Sequence, residues 1–147
     1  ELNKSTVEVG YLKKDEMAMI AGVQEFGARI RVTDKMRNYL AATGLPLKAS
    51  TTHITIPERS FIRTGATESK EEVLRIANQQ IVDVLTGSIK THKFVEKLGE
   101  TVKESIQKTA EELRNPSLHP YTVEMKGSSK PLIDTGKLLE AIEVKVK

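Results

Sequence analysis

At 147 residues the chain suits one domain with a single core, able to bury roughly two-thirds of the surface its unfolded form would expose. It has no Cys, no Trp and only 4% aromatic residues, which excludes disulfide staples, thiolate zinc sites, a Cys nucleophile and a groove of stacked rings. A net charge of +3 invites a nucleic-acid reading. No apolar run approaches the ~18 residues of a membrane span, and Glu1-Leu2-Asn3-Lys4 lacks the basic start and apolar stretch of a secretion signal, so the expected setting is the cytoplasm.

Between Thr6 and Leu12, Val7, Val9 and Tyr11 alternate with polar neighbours, the period-2 pattern of a half-buried strand. Met17 to Phe26 is rich in Ala and Met at helical spacing and stops at Gly27. Arg29 to Thr33 alternates charged and β-branched residues as a strand does, after which Thr33 or Asp34 can cap a short helix ending near Gly44. Leu45 to Thr52 reads as loop. His53 to Ile56 alternates again, and Pro57, with no N–H for a ladder, ends that strand or confines it to an edge. Residues 57–63 then read as an extended arm.

Ser69-Lys70-Glu71-Glu72 has the spacing of a capping box, opening a helix striped by Val73, Ile76, Ala77, Ile81, Val84 and Leu85 and stopped at Gly87, with Glu71 and Arg75 paired one turn apart. Thr91 caps a second long helix, striped by Phe94, Val95, Leu98, Val102, Ile106, Ala110 and Leu113 and ended by Asn115-Pro116. The short link between them predicts an antiparallel helical hairpin. Tyr121 to Met125 is a candidate strand. Asp134 or Thr135 caps a further short helix carrying Leu138, Leu139 and Ile142, and Glu143 to Lys147 closes the chain as a strictly alternating strand. The pattern predicts an α+β fold over 1–147: a small antiparallel or mixed sheet against a long helical hairpin, with an extended loop or arm.

Reactive constellations are sparse. His53, His92 and His119 have no second His at the spacing of a helical metal pair, and the serines near His119 lack a nucleophile elbow. No phosphate loop occurs. Asp134-Thr135-Gly136-Lys137 superficially resembles a phospho-aspartate loop, but a helix cap explains it better. The reading is therefore of a protein that is not an enzyme, with no cofactor and no metal. Charge concentrates in 29–63, where Arg29, Arg31, Lys35, Arg37, Lys48, Arg59 and Arg63 face only Asp34 and Glu58. Three readings stay open there. The arm anchors Phe61 in a neighbouring subunit with Phe26, Arg59 and Arg63 at the contact; or Arg29, Arg31 and Arg37 face phosphates in a channel; or Phe61 folds onto its own core.

Three pieces in order, Gln24-Glu25-Phe26-Gly27, Ile56-Pro57-Glu58-Arg59-Ser60-Phe61-Ile62-Arg63 and Pro131-Leu132-Ile133-Asp134-Thr135-Gly136-Lys137-Leu138, together resemble the phage tail-completion or neck family of minor tail components and the related Mu-type virion morphogenesis proteins. Ser60 stands where that family often has Pro. The resemblance implies a structural virion protein, needed for tail completion and head-tail joining and assembled as a ring (taken as a hexamer) at the head-tail junction or tail end. Its expected partners are other copies of itself, neighbouring neck, connector, tail-terminator or tail-tube proteins, and non-specifically the DNA in the channel, with no membrane. The expected location is the virion, after assembly in the host cytoplasm. The competing function is a non-specific DNA-binding module using 29–63.

Overall fold

The computed structural model describes residues 4–127, 129–132 and 136–147, and has an α+β architecture built around one long helix. In chain order the elements are β1 (Val7–Gly10), α1 (Glu16–Phe26), β2 (Ala28–Arg31), α2 (Asp34–Ala42), β3 (His53–Ile56), α3 (Phe61–Glu68), α4 (Lys70–Leu85), α5 (Thr91–Glu112), α6 (Pro120–Lys126), α7 (Lys137–Glu140) and β4 (Glu143–Val146). Among the described residues no helix is long and apolar enough to cross a membrane.

The strands form two separate antiparallel pairs, β1 with β4 and β2 with β3. In the first, Val7 lies opposite Val146 and Val9 opposite Val144, so four valines share one face. That face rests on α5 at Gly99, where a Cβ would stand 2.6 Å from both Val7 Cγ2 and Val144 Cγ1. On another side α5 receives α3 at Gly65. A Cβ there would lie 2.5 Å from Ile106 Cα, and Ser105 Oγ donates to the Gly65 carbonyl at 2.8 Å. α4 returns along α5, and Val84, Phe94 and Val95 close the turn between them. The main core gathers Ala21, Phe61, Ile106, Ala110, Leu132, Leu139 and Ile142. Tyr11, packed against it, donates its hydroxyl to the Leu138 carbonyl at 2.7 Å, and burial raises its pKa.

Several local expectations are corrected. No extended arm spans 57–63: at Ser60 the chain turns, with the Phe61 N–H donating to the Arg59 carbonyl at 2.7 Å, from Phe61 it is helical, and α3 packs on α5 more extensively than α4 does. Ser69 does not form a capping box. Its backbone is helical, its hydroxyl donates to the Ala66 carbonyl, and α3 continues into α4 with a bend there. Arg75 pairs with Glu72, not Glu71. Tyr121 to Met125 is helical, because His119 Nδ1 accepts from the Tyr121 N–H, Pro120 sits at the first turn and Gly127 closes the end in the left-handed region. Thr33 caps α2 by accepting from the Met36 N–H, while Lys90 stands at the N-cap of α5 and Thr91 begins the helix. The expected caps Asp134 and Thr135 lie outside the described residues.

Gly65 and Gly22 make opposed tests of this packing. Helix propensity favours Ala over Gly by about 1 kcal/mol at either position. At Gly22, where a Cβ would meet nothing within 4 Å, Gly22→Ala is expected to raise the thermal midpoint. At Gly65 the Ile106 backbone cannot move aside as a side-chain tip would, so Gly65→Ala is expected to cost about 1–3 kcal/mol, read as a fall of several degrees in a thermal melt.

Candidate functional site

The end of α1 and the start of α3 meet in a polar joint. Gly27 takes a φ of 71°, and a Cβ there would lie 2.8 Å from the Ile56 carbonyl oxygen, so the chain turns back tightly against the end of β3. This brings Glu25, only 2% exposed, to the first turn of α3. Its carboxylate accepts from Ser60 Oγ at 3.1 Å, from the Ile62 and Arg63 N–H groups at 2.8 and 3.2 Å, and from Arg63 Nε at 2.8 Å. A carboxylate at a helix N-terminus satisfies orphan N–H groups and meets the positive end of the helix dipole. Burial by itself would raise the Glu25 pKa, but the bonds from the Arg63 side chain, the two backbone N–H groups and Ser60 together hold it below its ordinary value.

Arg59 is 4% exposed and is the second element of the joint. Its backbone N–H donates to the Gln24 carbonyl at 2.7 Å, and Nη1 reaches Gln24 Oε1 at 3.1 Å. Nε donates to the Pro116 carbonyl at 3.0 Å and Nη2 to the Ser117 carbonyl at 3.4 Å. One guanidinium thus ties the segment after α5 to the end of α1. All these acceptors are neutral, and among the described residues no carboxylate pairs with Arg59. Burial pushes its pKa down. Arg59 also lines an open groove of about 780 Å³ whose other walls include Ile54, Ile56, Leu45, Leu47 and Leu118.

The four residues expected at a subunit contact therefore separate. Phe61 is 0% exposed, in the core of its own chain, and is not available to a neighbour in this fold, while Arg59 is bonded within its own chain and reaches the surface only where it lines the groove. Phe26 is 69% exposed, and the Arg63 guanidinium lies over its ring, 5.2 Å from the centroid, while also pairing with Glu25 and Glu58. Phe26 and Arg63 remain as one surface feature. Of the phosphate-facing candidates, Arg29 and Arg31 lie on the exposed face of the β2–β3 ribbon opposite Thr55 and His53. Arg37 instead donates to the carbonyls of Leu47, Lys48 and Thr51, holding the loop between α2 and β3.

Glu25 stands in the Gln24-to-Gly27 motif but has no local signal for its role, because the groups it accepts from, at 60, 62 and 63, lie far along the chain. Leu132 and Leu138 of the third motif pack into or against the main core, and residues 133–135 lie outside the described residues. His119 is occupied in capping α6. Among the described residues no group of three or more His, Cys, Asp or Glu side chains converges as a metal site. No family model, curated protein or solved structure matches the chain.

Two predictions follow from the joint. Phe61→Ala removes a fully buried ring and is expected to cost about 3–5 kcal/mol of folding stability, measured by denaturant unfolding of the dilute protein. Glu25→Gln is expected to cost about 1.5–3 kcal/mol at neutral pH through loss of charge-assisted bonds. Because the folded pKa of Glu25 lies below its ordinary 4.5, its contribution is present above that value and fades as pH falls through the lowered one. The gap in thermal midpoint between wild type and Glu25→Gln should therefore close on acidification below about pH 4.5.

Proposed function

We propose that the chain is a structural subunit of a tailed-phage or prophage virion, assembling as a ring at the head-tail junction or tail end and acting in tail completion and head-tail joining. The observation that carries this reading is the ordered set of three motifs, of which the first two form one joint. Gln24 bonds Arg59, Glu25 caps α3, Phe26 lies under Arg63 and Gly27 packs on Ile56. Motifs otherwise far apart in sequence thus have a common physical purpose in setting α1 against α3.

The surface also suits assembly. Leu74, Val82 and Leu85 are exposed on α4 and Phe26 at the joint, giving apolar contact area a subunit interface can cover. A head-to-tail interface closes into a ring when its rotation divides a full turn. The expected outcome is a ring in native mass spectrometry or in particle images, and gene deletion leaving full heads separate from tails in the lysate. A monomer at every concentration, together with normal virions after deletion, would overturn the reading.

A second reading has its own observation. Arg29 and Arg31 stand exposed on the same ribbon face, free of the loop contacts that occupy Arg37. As a DNA-binding module the protein would bind arbitrary duplex with a steep negative dependence on salt, and Arg29→Ala with Arg31→Ala would flatten that slope by about two units. Negligible binding at physiological salt removes this reading.

A further inference from the structure

The groove beside Arg59 runs along a free strand edge. The Val32 N–H donates to the Thr52 carbonyl at 2.9 Å, in the same register that sets Ile30 opposite Ile54 and Ala28 opposite Ile56. Bonded and non-bonded pairs alternate in an antiparallel ladder, so Ile54 and Ile56 direct their backbone groups at β2, whereas Thr55 turns its N–H and C=O to the opposite edge. Among the described residues no further strand pairs with that edge, and Ile54, Thr55 and Ile56 all line the groove. Across it stand Leu118 and Pro120 from the segment that Arg59 holds in place.

We infer that this groove is a docking site for an extended peptide segment of a partner protein, which adds as a strand to β3 at Thr55 and sets an Asp or Glu carboxylate against Arg59. Charge complementarity selects the acid. Arg59 is a cation held out of water with only neutral acceptors, and each of its terminal nitrogens carries a second hydrogen beyond the single bond it donates. A carboxylate replaces no existing bond, supplies the missing charge and makes charge-assisted hydrogen bonds. The aliphatic walls take the flanking side chains, and the strand edge takes the backbone, as in other β-strand additions. A nucleic-acid strand fits poorly, since its repeating phosphates would meet one cation between apolar walls. The inference does not depend on the virion reading.

The test uses the intact protein and a display library of random peptides. Enrichment should favour an Asp or Glu flanked by β-branched or aliphatic residues. A synthetic peptide of the enriched sequence should shift the Thr55 amide and Arg59 Nε–H resonances in NMR. Its Asp→Asn or Glu→Gln form should bind at least about tenfold more weakly. Thr55→Pro deletes the edge N–H while leaving the bonds to β2, and is expected to weaken binding by a similar factor with the fold intact. Arg59→Met should abolish the preference for the acid; because Arg59 also ties the chain together, the Asn or Gln peptide on the wild-type protein serves as the independent measure. No enrichment, binding indifferent to both the peptide acid and Thr55→Pro, or the same resonances shifted by single-stranded DNA and not by peptide, would overturn the proposal.

Discussion

A carboxylate removed from water must find donors, and Glu25 finds four at the first turn of α3. The consequence is geometric as much as energetic. Fixing the last turn of α1 to the first turn of α3 sets Phe61 into the main core and presents Gly65 to Ile106, so that α3 can cross α5 with backbones in contact. α5 in turn carries the β1–β4 pair on Gly99. A displaced Glu25 would leave two helical N–H groups and the Ser60 hydroxyl without their acceptor, and would loosen the placement of the helix that sets Phe61 into the core.

Elements whose own pattern decides their state were legible in the sequence. The stripes of α4, apart from the exposed Leu85, and of α5 follow from helical period, β1, β2, β3 and β4 from alternation, and the Thr33 cap from a short polar side chain before a helix. α3 was not legible. Its sequence, Phe-Ile-Arg-Thr-Gly-Ala-Thr-Glu, combines a glycine, two threonines and an isoleucine, all weak or indifferent helix formers, and follows a proline that suggests extension. The helix is stabilised by what it packs against and by the Glu25 cap, both distant in sequence. α6 misled in another way. Tyr-Thr-Val reads as strand, yet Pro120 and Gly127 mark a helix start and stop, and that punctuation outweighed side-chain preference.

The same distinction governs the site. Residues 59, 61 and 63 share one face of an extended arm, so alternation does not separate Phe61 from its arginine neighbours, and only the tertiary packing shows that Phe61 points inward. Arg59 is the harder case. A guanidinium that donates to two backbone carbonyls and a side-chain amide has no local sequence signature, because its acceptors at 24, 116 and 117 come from two other regions of the chain. Composition alone places Arg in water.

The basic stretch illustrates how a formal charge can overstate an electrostatic surface. Arg37 organises a loop, Arg59 is internal, and Arg63 is shared between Glu25 and Glu58 beside the Phe26 ring. What remains outward on the β2–β3 ribbon is Arg29 and Arg31, on a two-stranded element anchored to the rest of the chain by Gly27, by the Tyr121 hydroxyl bond to the Thr43 carbonyl and by the Arg59 ties. Outward charge and an open strand edge therefore belong to the same two-stranded element.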